Sequence, residues 1–221
     1  MAYEKSLSFL KAIKNNNNKD WFDKNKPKYL EAKAEFEVFV QKMINALSKF
    51  DKKIDGNMLA KNCVFRIYKD VRFSKDKTPY KTHFGAYFSP GGKKSNAAGY
   101  YFHFEPGNMF LAGGNWQPEP PQLQAIRQEI DYNGDKLTKL IKAKSFQKYF
   151  DDLSDEDKLK TAPKGFDKES KYLEYLKLKS FVVYHKLSDK DFKSKNFEKF
   201  TVEGYKAMYP VIRFLREATD H

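Results

Sequence analysis

The chain has 221 residues, 42 basic against 29 acidic side chains, a net charge of +13, 40% hydrophobic and 16% aromatic residues, and one cysteine. That length is ample for a real core in one large domain or two small ones, and 20 Phe with 14 Tyr exclude intrinsic disorder. Cys63 has no partner for an intrachain disulfide, no apolar run approaches the roughly 20 residues of a membrane span, and Met1 to Lys14 lacks a signal-peptide h-region, so a reducing cytoplasm is the expected location.

Leu7, Leu10 and Ile13 predict a first helix that the polar run Asn15 to Asn18 stops. Pro27 fits the first turn of a longer helix, along which Tyr29, Ala32, Phe36, Val40, Met43, Leu47 and Phe50 form a core stripe. Trp21 and Phe22 pin the first helix to the second. From Val64 the period changes to two: Val64, Arg66, Tyr68, Asp70 and Arg72 alternate with Phe65, Ile67, Lys69, Val71 and Phe73, which predicts a half-buried strand. Thr82 to Ser89 and Gly99 to Glu105 alternate likewise, either side of a flexible segment at 90–96. Pro106-Gly107-Asn108 is a turn signal that makes Gly99 to Ala112 a hairpin, with either Pro106-Gly107 or Gly107-Asn108 at its centre.

Pro118 to Pro121 lead into a helix carrying Leu123, Ile126 and Ile130, followed by two short helices through Phe150 and a turn at Pro163-Lys164-Gly165. Lys171 to Lys177 reads as helix and Phe181 to His185 as strand. A last long helix carries Phe197, Phe200, Met208, Ile212 and Leu215, with Pro210 bending it. The expected fold is α+β: one domain over residues 1–221, with a central, mostly antiparallel sheet and N- and C-terminal helices packed on it.

The charge is uneven. Residues 1–60 carry +4, 61–95 carry +7, 96–135 carry −4 and 136–221 carry +6. A block like the second concentrates anions. Of the 42 basic residues 37 are Lys and five are Arg, whereas nucleic-acid readers favour the planar, bidentate fork of Arg. Two of the five, Arg66 and Arg72, fall in the +7 stretch. On an alternating strand they share a face with Tyr68 and Asp70, so that Asp70 can hold one Arg while the other stays open to an anion. A structural salt-bridge network accounts for the same residues equally well.

Nucleotide-binding, zinc-peptidase and serine-hydrolase signatures are absent, and Cys63 beside an apolar strand reads as packing. On the hairpin Tyr101, His103 and Glu105 share a face, and Ala112, Gly113 and Gly114 on the return strand would leave open space near Tyr101 or His103. His103 suits a general base, a metal ligand or a hydrogen-bonded core position. No spacing favours a metal site built from His83, His103, His185 and a carboxylate, so no metal is assigned. Trp116, after the glycines, suits either a ligand cover or, the favoured reading, a cap on the core.

The run Arg66-Ile67-Tyr68-Lys69-Asp70-Val71-Arg72-Phe73-Ser74-Lys75-Asp76-Lys77-Thr78-Pro79-Tyr80-Lys81-Thr82 is long and specific. With Trp21-Phe22, Gly99 to Pro106, Gly113-Gly114 followed by Trp116 and Pro118, and Pro163 to Phe166, it resembles the uncharacterised family catalogued as domain of unknown function 2461 over most of the chain. Lys69 stands where that pattern has Arg, and Ala112 where a third glycine is common. The resemblance brings no activity, substrate or cofactor with it.

The reading from residues is an anion-binding cleft for a phosphorylated or carboxylated small molecule, with hydrolysis or transfer as its chemistry. Arg66, Arg72, Lys77, Tyr80, Lys81 and Lys164 are its expected ligand-binding residues, and His103, Tyr101 and Asp70 its expected catalytic ones. The alternatives are a non-specific nucleic-acid module that stacks bases on exposed Tyr80, Tyr101 and Trp116, or a scaffold for an acidic protein partner. No membrane partner is expected, and no cofactor is assigned.

Overall fold

The computed structural model of the protein describes residues 3–220, apart from the side chain of Asp189. Its helices are α1 (Glu4–Asn15), α2 (Lys19–Lys24), α3 (Lys26–Leu47), α4 (Pro120–Ile141), α5 (Lys144–Gln147), α6 (Leu173–Leu176), α7 (Asp189–Lys193) and α8 (Phe197–Glu217). Strands β1 (Phe84–Phe88), β2 (Gly99–Phe104), β3 (Met109–Asn115) and β4 (Phe181–Leu187) form one antiparallel sheet in sequence order. The fold is α+β, as the switch from helical to two-residue periodicity requires. Among the described residues no helix is long and apolar enough to cross a membrane.

The chain divides into two compact units. The first takes the chain up to Lys93, then Tyr101–Leu111 and Lys186–Val202. Asn18 caps α2 by accepting from the Trp21 amide at 2.9 Å, which turns Phe22 inward. Pro27 sits in the first turn of α3, whose buried stripe is Ala32, Phe36, Val40, Met43 and Leu47, widened by Phe39 and Ile44. Aromatic packing carries this core: Phe36 lies 5.4 Å from Phe84, and Phe39 lies 4.7 Å from Phe102, ring centre to ring centre. The hairpin turn centres on Pro106-Gly107. The Asn108 amide donates to the Glu105 carbonyl at 3.0 Å, and Gly107 takes φ +78°, as position three of a type II turn demands.

The second unit takes Lys94–Tyr100, Ala112–His185 and the chain from Glu203. Here α4 runs 22 residues, interrupted at Asn133 (φ −123°), where two successive helices were expected. Gly134 follows because the Tyr172 ring occupies the place of a side chain, 2.6 Å from where a Cβ would stand. Gly113 and Gly114 serve close approach as well. A Cβ on Gly113 would stand 2.1 Å from Met208 Sδ of α8, and one on Gly114 1.9 Å from the Phe181 carbonyl of β4. The glycines therefore do not open a floor beneath Tyr101 or His103: their space is filled by α8 and by β4 backbone. Trp116 is 66% exposed and does not cover the core. Helix α7, which belongs to the first unit, was not expected. Its signal is the capping box in which Ser188 Oγ accepts from the Asp191 amide at 3.2 Å and Asp191 Oδ2 accepts from the Ser188 amide at 2.9 Å.

Two outcomes test this packing. Gly114→Ala, strained at φ +133° and blocked by backbone, should cost at least about 3 kcal/mol in urea unfolding, whereas Gly107→Ala, with open space around it, should cost about 1 kcal/mol. Cys63 is fully buried, and burial pushes its thiol up to about 11. An aromatic disulfide reagent at pH 8 should therefore leave native protein unlabelled and label one equivalent in guanidinium; rapid native labelling would show that the strand region opens locally.

Candidate functional site

The segment after Asn62 does not form the strand expected over Val64 to Phe73. It pairs at two isolated antiparallel points, Val64 with Ala86 and Tyr68 with Tyr80. The hydrogen bonds give the reason. Phe65 N donates to the Gly85 carbonyl at 2.9 Å, and Tyr87 N to the Cys63 carbonyl at 3.0 Å. Further on, Lys81 N donates to the Ile67 carbonyl at 2.8 Å and Lys69 N to the Pro79 carbonyl at 2.9 Å. From Phe65 to Ile67 one chain advances two residues while its neighbour goes from Gly85 to Lys81, four residues, so the register slips by two. The slack is Thr82 and His83, which bulge out of the ladder.

On the exposed side Arg66, Tyr68, Asp70 and Arg72 all face solvent, and Ile67 between them is buried. The two-residue alternation is preserved although the ladder is broken. Asp70 grips Arg72 with both oxygens, Oδ2 accepting from Nη2 at 2.6 Å and Oδ1 from Nε at 2.9 Å. The Arg72 guanidinium, its backbone amide and the charge of Arg66 hold the Asp70 carboxyl below its usual range. Arg66 itself has no ion pair among the described residues. The loop beyond is tied by Lys69 Nζ, which donates to Asp76 Oδ2 and Thr78 Oγ1 at 2.6 Å each, while Lys77 Nζ donates to the Val71 carbonyl at 2.9 Å. At its tip Phe73 is 96% exposed, with the Arg72 guanidinium 5.8 Å from its ring centre.

Tyr80 does not present a ring for stacking. It is 3% exposed and lies on Phe22 at 4.1 Å, with its backbone clasped by the Asn17 side chain. Lys81 is half-buried over the Phe65 ring at 5.5 Å; burial first, then the nearby Arg66 charge, lowers its ammonium pKa. Lys164 is exposed and, like Trp116, belongs to the second unit.

The bulge meets the hairpin. Tyr101 Oη lies 3.0 Å from His103 Nδ1, and His103 Nε2 lies 3.3 Å from Glu105 Oε2. Thr82 Oγ1 donates to Glu105 Oε1 at 2.8 Å, and Asn108 Nδ2 donates to Glu105 Oε2 at 3.0 Å. The His103 ring stacks on Phe110 at 4.5 Å with 8° between planes, and the His83 ring lies 4.2 Å from it, centre to centre, tilted by 34°. Gly85 makes room for Tyr101, since a Cβ there would stand 2.7 Å from the hydroxyl. The space near Tyr101 thus comes from β1 and not from the glycines of β3.

Burial favours the neutral imidazole at both histidines. It pushes His83 down to about 4, reinforced by His103 and by Lys81, and it lowers His103 against the opposing pull of Glu105. At Glu105 burial pushes upward, but donation from Asn108, Thr82 and His103 outweighs it and the carboxyl ends below its ordinary value. A carboxylate at Nε2 fixes the tautomer: Nε2 carries the proton and Nδ1 accepts from Tyr101. Burial then raises the Tyr101 hydroxyl well above its usual range.

Of the expected residues, Tyr101 and His103 meet in this cluster. Lys81 sits beside it through Phe65, whose ring is 6.4 Å from that of Tyr101. Arg66 acts electrostatically on Lys81 and Asp70. Arg72, Asp70 and Lys77 belong to the exposed loop. The residues not singled out are Thr82 and Asn108, which fix Glu105, and Phe110, which stacks on His103. Asn108 was within reach of the sequence, because Glu105 and Asn108 bracket a Pro-Gly turn and so face each other.

No curated protein and no solved structure matches the chain. The family model described as conserved hypothetical protein (DUF2461) matches residues 5–214, nearly the whole length and including every residue of the cluster, so the chain belongs to the DUF2461 family.

Proposed function

We propose that the chain binds an anionic small molecule, phosphorylated or carboxylated, at this cluster and carries out hydrolysis or group transfer on it. One observation supports the reading above the rest: Lys81, without an ion pair among the described residues, feels the like charge of Arg66 and acts on His83, whose ring packs on the imidazole that Glu105 orients. Unpaired cations held close together favour an anion between them, and the neutral His103, aligned by Glu105, is prepared to take or return a proton. In this reading Tyr101 relays that proton through Nδ1. Asp70 neutralises Arg72, which leaves Arg66 as the guanidinium that meets the ligand.

A ligand that binds only the folded state raises stability by RT ln(1 + [L]/Kd), about 2.7 kcal/mol at one hundred times Kd. Phosphate or a phosphorylated metabolite should therefore raise the melting temperature of the wild type above a chloride control of equal ionic strength. Lys81→Met and Arg66→Ala should remove most of that rise, while Arg72→Ala, which loses only a guanidinium already held by Asp70, should keep it. A rise of equal size in all four proteins would reduce the pair to general surface charge.

A second reading draws on Phe73, exposed among Arg72, Lys75 and Lys77 as a stacking platform within positive charge is in single-strand binding. Single-stranded RNA should then bind weakly and with strong salt dependence, and Phe73→Ala should weaken it several-fold at fixed salt. Submicromolar affinity at near-physiological salt would rank this reading first.

A further inference from the structure

We propose that His83, His103 and Glu105 bind one divalent first-row transition-metal ion. The inference rests on reading this cluster as the reactive centre, and it changes His103 from proton carrier to ligand. Sequence spacing gave no reason to assign a metal; the register slip at Thr82–His83 supplies one. It brings a nitrogen of each histidine and an oxygen of Glu105 all within 4.8 Å of one another, in a partly buried cluster of unit one. Ligand atoms around a bound ion stand about 3 Å apart, so side-chain rotations alone close the set.

The donor set points to one coordination class. The His83 and His103 rings lie 4.2 Å apart, centre to centre, with 34° between their planes, so one must turn before both nitrogens meet a single ion. Two imidazole nitrogens and the Glu105 carboxylate then make a two-His, one-carboxylate set with the remaining positions open to water and an anion. The outer shell is already in place. Thr82 and Asn108 hold the two oxygens of Glu105, and Phe110 holds the plane of His103. With Nε2 on the metal, Nδ1 carries the proton and donates to Tyr101 Oη along the contact now 3.0 Å long, reversing that bond.

The test is a titration of chelator-stripped protein with Co2+, followed by its visible d–d absorption, and with Zn2+, followed by calorimetry. We expect one equivalent to bind, with affinity at least tenfold weaker in His83→Gln and in Glu105→Gln. His185→Gln should bind as wild type, since that ring is engaged with the Tyr149 carbonyl in the second unit. Circular dichroism checks that the variants fold; should His83→Gln unfold, the near-isosteric Glu105→Gln decides. No binding to wild type at submillimolar metal, or equal binding by the folded variants, overturns the inference. The phosphate-dependent melting shift, measured on stripped protein, separates the two ideas. A shift that persists without metal binding overturns the metal alone, whereas one-to-one metal binding with no shift, with or without metal, upholds the metal and overturns the anion reading.

Discussion

The first unit depends on a two-residue slip in backbone register. Between the Phe65–Gly85 and Ile67–Lys81 hydrogen bonds the two chains cannot both remain extended, and the longer one must eject Thr82 and His83. A regular ladder would have sent those side chains alternately up and down, and only one could have faced the hairpin. Ejected together, Thr82 reaches Glu105 and His83 covers His103. The cost of the broken ladder is met by turning Ile67 into the core and by Asn17, whose amide satisfies both backbone groups of Tyr80 just beyond the slip. The bulge is therefore supported from beneath by Tyr80 on Phe22, which explains why an aromatic expected at a ligand is packed inside.

What the sequence showed and what it hid separate along the same line. Periodicity is a local signal, and where structure is local it was legible: α1, α3, β1, the hairpin and α8 lie where spacing put them. The alternating burial of residues 65–72 was legible too, because side-chain direction survives an interrupted ladder. Register is not local. Nothing in Val64 to Phe73 shows that its partner carries two extra residues, so the site face was assembled on a strand that the chain does not form. Gly113 and Gly114 show a related limit: a pair of glycines signals close approach, but whether a ligand, a helix or a strand approaches is decided by residues nearly 70 and 100 positions away.

The buried side of the cluster is electrostatically lopsided. Two imidazoles face each other, and one carboxylate with three donors stands at the edge. Protonating either ring would place a cation against its neighbour within reach of Lys81, so burial and mutual repulsion act in the same direction, and Glu105 opposes them mainly at His103. The pair is thus polarised: His83 is the more firmly neutral, and His103 is the ring whose protonation Glu105 favours.

The arginines sharpen this. Five are present in a chain otherwise rich in lysine, and the fold gives most of them clear employment. Arg127 is buried and donates to the Leu178 carbonyl, Arg216 is buried and donates to the Ala98 carbonyl, Arg213 pairs with Glu217, and Arg72 is clasped by Asp70. Arg72 uses its fork to span both oxygens of Asp70, and Arg127 and Arg216 reach buried carbonyls. Arg66 is the exception, exposed, without an ion pair among the described residues, and electrostatically coupled to Lys81 beside the histidine cluster. Lysine would satisfy such a position if it served only to solvate the surface. In the proposed reading that fork, with Lys81 as a second cation near it, is what meets the ligand's oxyanion.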